Sequence, residues 1–200
     1  MDRKYGVVIC KFTSELTHPL REEESSLGNL LADAMAESLG LDVMLLGAGA
    51  VRVKSLGPTV TLMDFMGCFP YDDAVVRFTV TGKTLKTMFA RWMRTENRLS
   101  GEGECYQVNG AVRARYNDAE ERLVSLELNG GPVADDALYT VGLQAYHVAN
   151  STEYLGVTAD ELAAAGPSKV VSTSGKQVLE EWLRTHPNVG RAVEGRLVYE

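Results

Sequence analysis

The chemistry this chain could perform centres on one glycine-rich stretch and a set of tyrosines. Gly47-Ala48-Gly49-Ala50-Val51-Arg52 follows the mostly apolar run Leu41 to Leu46, an order that predicts a buried strand ending in a loop with an arginine at its exit. A guanidinium beside exposed backbone amides suits an anionic ligand, and a charge-assisted contact of that kind contributes about 1.5 to 3 kcal/mol. The stretch lacks the Gly-Lys-Ser or Gly-Lys-Thr ending of a phosphate loop, which keeps a plain turn as the alternative. Tyr71, Tyr106, Tyr146 and Tyr154 fall in or beside loop segments. Such rings could stack on a flat base for about 1 to 3 kcal/mol each, the alternative being ordinary core or rim residues.

Other reaction types find little footing. His18, His147 and His186 are far apart in the sequence, and none belongs to a His-x-x-x-His or Cys-x-x-Cys pattern, so zinc is not indicated. A two-metal hydrolase site needs several His, Asp and Asn ligands converging on two ions, and no such set is evident. There is no Gly-x-Ser-x-Gly elbow, and Cys10, Cys68 and Cys105 have no neighbours that would lower a thiol pKa. Cys68 and Cys105 read as small buried residues.

The elements that must position these residues follow from periodicity. Leu27, Leu30, Leu31, Ala34, Met35 and Leu39 recur at helical spacing, with Ser25-Ser26 before them and Gly40 after, which predicts a capped amphipathic helix. Val75 to Thr81 alternates as a strand, and Leu85, Met88, Phe89, Trp92 and Met93 then form a helical stripe beyond Gly82. Gln107 to Tyr116, Arg122 to Leu128 and Tyr139 to Leu143 are further strand candidates, with Asn129-Gly130-Gly131-Pro132 a turn between two of them. Ser174 caps a last helix carrying Val178, Leu179, Trp182 and Leu183, ahead of a closing strand from Gly195 to Tyr199. Strands and helices do not alternate strictly, so an α+β domain with a mixed sheet is expected over a doubly wound parallel sheet.

Composition bounds the partners. The chain has 200 residues, 45% hydrophobic and 24% charged, enough to bury a core without metals or disulfides. A net charge of −7 with scattered basic residues argues against nucleic-acid binding by bulk electrostatics. No apolar run is long enough to span a bilayer and the start lacks a cleavable leader pattern. With an odd number of widely spaced cysteines, reduced thiols are expected. These features imply a cytoplasmic protein if Met1 is the native start, and an exported one if the sequence is cut from a longer chain.

The order of segments resembles the C-terminal, substrate-recognition domain of the 5'-nucleotidase and UDP-sugar hydrolase family. Glu24-Ser25-Ser26-Leu27-Gly28-Asn29-Leu30-Leu31-Ala32-Asp33-Ala34 is similar to that family's Glu-Ser-x-Leu-Gly-Asn-Leu-x-Ala-Asp-Ala. Gly47 to Arg52 resembles its Asn-x-Gly-Gly-Ile-Arg loop, Phe69-Pro70-Tyr71 its Phe-Pro-Phe segment, and Val80 to Leu85 its Leu-x-Gly-x-x-Leu. Gln107-Val108-Asn109-Gly110 resembles Gln-Val-Ser-Gly, and Glu194-Gly195-Arg196-Leu197 the closing Glu-Gly-Arg-Ile. The likeness covers nearly the whole chain in order.

The resemblance implies a four-layer α/β/β/α domain, here one domain over residues 1–200, that holds a nucleoside between two aromatic rings while arginines contact phosphate. It places the divalent metal ions and the catalytic residues in a separate metallophosphoesterase domain, in cis or trans, that this sequence lacks. The chain alone is therefore expected to be non-catalytic and to hold no cofactor, its role in nucleotide catabolism being to position a nucleoside phosphate. Arg52 matches the phosphate-contacting arginine, Tyr146 the second stacking ring, and Tyr154 the aromatic that follows. The first stacking phenylalanine falls on Cys105, with Tyr106 next to it; the family's Asn at the loop start falls on Gly47. Its pocket aspartate falls on Thr152 or, with a one-residue shift, Glu153, and Arg77 is the nearest candidate for a second arginine. Because these departures lie in the pocket more than the scaffold, a stand-alone, diverged small-ligand or partner-docking module is the alternative.

Overall fold

The computed structural model describes residues 5–101 and 103–200. After β1 (Val8–Lys11) and β2 (Leu16–Thr17), α1 (Ser26–Leu39) forms on the stripe expected of it, with Leu27, Leu30, Leu31, Ala34 and Met35 all buried. Ser25 Oγ accepts the Gly28 N–H at 3.0 Å, and Gly40 ends the helix at φ 61°, a left-handed turn that suits glycine. β3 (Val43–Gly47) is buried at every position and runs into a tight turn at Ala48–Ala50. Then come β4 (Ser55–Leu56), β5 (Thr59–Thr61) and α2 (Leu62–Cys68), the last started by a Thr61–Asp64 capping box.

β6 (Val75–Thr81) feeds directly into α3 (Gly82–Trp92), followed by α4 (Thr95–Leu99), β7 (Tyr106–Val108), β8 (Val112–Asn117), β9 (Arg122–Leu128) and β10 (Gly131–Pro132). The chain ends with β11 (Leu138–Gln144), the short helices α5 (Ala145–Ala149), α6 (Ser151–Leu155) and α7 (Ala159–Ala163), then β12 (Lys169–Ser172), α8 (Gly175–Thr185) and β13 (Leu197–Tyr199). None of the described helices is long and apolar enough to cross a membrane.

Both larger sheets are mixed, as the sequence leads one to expect. A five-stranded sheet has the order β12-β6-β11-β3-β7 with β11 and β3 parallel, and a four-stranded sheet has the order β10-β9-β8-β13 with β8 and β13 parallel. β3 shows how they pack. Met44 and Leu46 join the core made with α1 and α8, while Val43 and Leu45 face the core shared by α3, β8 and β9. Successive side chains of a strand point to opposite faces, so β3 is apolar throughout because it is covered on both.

Two segments depart from the sequence reading. The stretch Gln107 to Tyr116, expected as one strand, divides between the two sheets because Asn109 turns the chain: its Oδ1 accepts the Met44 N–H at 2.8 Å and its Nδ2 donates to the Asp42 carbonyl at 3.1 Å. The turn at Asn129-Gly130, with φ 53° and 78°, folds β10 back onto β9 before the chain crosses to β11 in the other sheet.

The closing segment is tied to α1 by a buried ion pair. The Arg196 side chain, 1% exposed, donates from Nη1 to Asp33 Oδ1 at 2.7 Å and to the Val108 carbonyl at 2.9 Å, and from Nη2 to Glu194 Oε1 at 2.5 Å. Burial pushes the Asp33 carboxyl up, but hydrogen bonds from Arg196 and Arg191 outweigh it and hold the pKa below its ordinary value. Asp33 therefore adds stability that is present above its unfolded pKa and lost as pH falls through its lower folded one. Arg196→Met, which leaves that carboxylate without its main partner, is expected to lower the unfolding free energy by about 3 to 5 kcal/mol in urea titrations at neutral pH. The deficit should shrink in titrations repeated at acid pH. A loss that is negligible at neutral pH would show that the pair does not hold the segment.

Candidate functional site

β3 and β11 run parallel side by side, and both end at the same edge of the sheet, at Gly47 and Gln144. Crevices beyond the carboxyl ends of such strands are where α/β folds place ligands. A cleft of about 490 Å³ opens there. The turn after β3 supplies Gly49, Ala50 and Arg52; the start of α5 supplies Tyr146 and His147; and the loop after α2 supplies Tyr71, Asp72 and Asp73. Arg21, from the segment before α1, and Glu104, just before β7, complete the wall with Gln144.

The turn is held from all sides. Gly47 N donates to Gln144 Oε1 at 3.1 Å, Ala48 N to the Cys105 carbonyl at 2.8 Å, and Arg52 N to the Cys68 carbonyl at 2.8 Å. His18 Nε2 lies 3.2 Å from the Ala48 carbonyl. Arg52 keeps its side chain exposed at the cleft, with Nη1 donating to the Gly49 carbonyl at 3.3 Å.

The aromatic residues divide into two kinds. Tyr146 and Tyr71 are each 49% exposed and line the cleft. Tyr106, a stacking candidate from the sequence, is instead fully buried: its ring sits edge-on to Trp92 and His147, and its hydroxyl meets His147 Nδ1 at 3.1 Å. Strand β7 turns that side chain inward, so it offers no face to a ligand. Cys105 is buried as well, and burial pushes its thiol up to about 12, the behaviour of an inert residue.

Tyr154 stands behind Tyr146, their hydroxyls 3.0 Å apart, and orients it. Tyr154 and Glu153 border a separate shallow depression beside Arg91 and Arg94. Arg77 lies on β6 opposite Gly142 and is not among the described residues lining the cleft. Of the candidates, then, the structure brings Arg52, Tyr71 and Tyr146 together at one cleft, sets Tyr106 and Tyr154 behind Tyr146, and leaves Glu153 and Arg77 out of the lining.

Sequence reasoning missed Arg21, Glu104, Asp72, Asp73, Gln144 and His147 as cleft residues. Arg21 and Glu104 come from segments without periodicity, and His147 reads as an isolated histidine. Its signal is Gly47: a Cβ there would lie 2.2 Å from His147 Nε2, so the glycine makes room for the ring. Burial lowers the His147 pKa to about 4, which keeps the imidazole neutral. Among the described residues His, Cys, Asp and Glu do not gather in groups of three or more that could hold a metal ion.

The family model for the 5'-nucleotidase, C-terminal domain, matches residues 7–158. The chain belongs to this family. Solved structures agree on the fold of the 5'-nucleotidase C-terminal domain. A 5'-nucleotidase precursor from Thermus thermophilus is 22% identical with a TM-score of 0.77, over 96% of this chain and 39% of that one. The NAD nucleotidase of Haemophilus influenzae is 17% identical with a TM-score of 0.77, over 100% and 39%. The sulfate thiohydrolase SoxB of Thermus thermophilus is 17% identical with a TM-score of 0.69, over 98% and 35%. The chain thus spans about two fifths of the length of these proteins. None of the curated proteins matches it.

Gly47→Ala in this 5'-nucleotidase C-terminal domain should clash with the His147 ring and lower stability by about 1 to 3 kcal/mol, much of it recovered in the Gly47→Ala/His147→Ala double variant. A thermal melt of both proteins checks this, and an unaltered single variant would mean that the ring moves freely. His147 also carries a pH signature. Its folded pKa of about 4 lies below the ordinary 6.5, so its contribution is present above the unfolded value and lost as pH falls towards the folded one. Ring NMR titration should show His147 neutral at pH values where an exposed histidine is largely protonated.

Proposed function

We propose that the cleft binds a nucleoside phosphate and presents it to a metallophosphoesterase domain, supplied in cis or in trans, for metal-dependent ester hydrolysis. The observation that carries this reading is the meeting, in one cleft, of the Arg52 guanidinium with the exposed Tyr146 ring. Arg52, with Arg21 on the same wall, supplies donors for a phosphate group, and Tyr146 supplies a face for the base, with Tyr71 as a second exposed ring. The family membership supports it, and two of the similar structures are named as nucleotidases. The chain's own part is positioning, and catalysis belongs to the other domain.

One observation favours the alternative of a diverged binding module. Cys105 and Tyr106, where the resemblance expects a stacking ring, are both buried, so neither supplies the first ring of the implied clamp. Calorimetric titration with AMP and adenosine separates the readings. AMP binding in the micromolar to low millimolar range should weaken by about 1.5 to 3 kcal/mol in Arg52→Ala and by about 1 to 3 kcal/mol in Tyr146→Ala. Adenosine should lose affinity only in Tyr146→Ala. Absence of heat with either ligand would favour the diverged module.

A further inference from the structure

Gly49 gathers opposite charges. A Cβ at this position would lie 3.3 Å from Arg21 Nη2 and 3.5 Å from Glu104 Oε1, so the bare glycine lets a guanidinium and a carboxylate approach the turn together. Glu104 Oε1 accepts the Gly49 N–H at a long 3.5 Å, while Arg52 Nη1 donates to the Gly49 carbonyl at 3.3 Å. The place where a phosphate oxygen would meet the turn therefore already has a carboxylate beside it. Asp72 and Asp73 line the same cleft, so two arginines face three carboxylates there, with His147 neutral.

We propose that Glu104 is a specificity-determining residue that tunes the cleft for singly charged phosphodiesters over doubly charged phosphomonoesters, an inference that rests on the nucleoside phosphate reading above. A phosphomonoester carries nearly two charges above its second pKa of about 6, whereas a diester keeps one. The first charge is matched by Arg52 and Arg21. The second meets the Glu104 carboxylate, which holds the nearby amide and already claims part of the attraction of Arg21. Burial pushes the Glu104 carboxyl up, with the Gly49 amide and Arg21 pulling it back, so this carboxylate is poorly compensated before any ligand arrives. Asp72 and Asp73 add to the repulsion from the facing loop, Asp72 being held by Ser174 Oγ at 2.5 Å.

The test is calorimetric titration with AMP and 3',5'-cyclic AMP, which share a base and differ in phosphate charge, well above the monoester's second pKa of about 6. The wild-type chain should bind cyclic AMP more tightly. Glu104→Gln, neutral and of the same shape, should tighten AMP by roughly ten-fold and cyclic AMP by much less, shifting the preference towards AMP. Glu104→Ala should give the same ordering, which keeps the test open if the glutamine variant folds poorly in a thermal melt. A wild-type preference for AMP, or a ratio of affinities unmoved by both substitutions, overturns the charge filter while leaving the nucleoside phosphate reading intact. Failure of both ligands to bind wild type and variants overturns that reading and the filter with it.

Discussion

The start of α1 lies inside the protein, and its exposed backbone donors must be satisfied there. Ser25 and Gln107 do this together: Gln107 Oε1 accepts from Ser25 N at 3.0 Å and Ser25 Oγ at 3.2 Å, and its Nε2 donates to the Glu23 carbonyl at 2.8 Å. Gly28 allows the close approach, since a Cβ there would lie 2.2 Å from Gln107 Oε1. Glu24 then gathers Asn29 Nδ2 at 2.7 Å, Glu194 N at 2.8 Å and Arg196 N at 2.7 Å. This one junction fixes α1 against β7, brings the closing segment home, and sets the chain on either side, where Arg21 and Glu104 turn towards the cleft. Removing a member would leave buried polar groups without partners, the costly way to break such a network.

The junction also explains what was legible in the sequence. The motifs around Glu24-Ser25, Gln107-Val108 and Glu194-Gly195-Arg196 are far apart in the chain, yet they bond to one another in the fold. They are scaffold, which is why the family could be read from them with little said about the ligand. The stripes of α1, α3 and α8 were legible for a simpler reason, each presenting one apolar face to a core. The break between β7 and β8 was not, because it depends on Asn109 side-chain bonds to a strand more than sixty residues away.

Within the cleft, legibility failed where side-chain direction decides. Arg52 and Tyr146 lie just beyond the ends of β3 and β11, where the sequence breaks off an apolar run, so their place at the cleft could be read from position along the chain. Tyr106 differs by being on a strand, where the pleat turned its ring into the core. There it contacts His147, which in turn occupies the space left by Gly47. Gly47, Tyr106 and His147 form one packed unit behind Tyr146, so a change at any of the three is felt by the others.

The fastening of the turn after β3 has a consequence for motion. Its backbone is bonded to Gln144, Cys105, Cys68 and His18, and the strand leading into it is buried on both faces. The turn has no slack with which to open alone. Amide hydrogen exchange in β3 and in the turn should therefore proceed through the same large-scale unfolding event, and a molecule held at Gly49 would slow exchange deep in the sheet as much as at its own contacts. Occupancy of the cleft would in this way be reported by the centre of the protein.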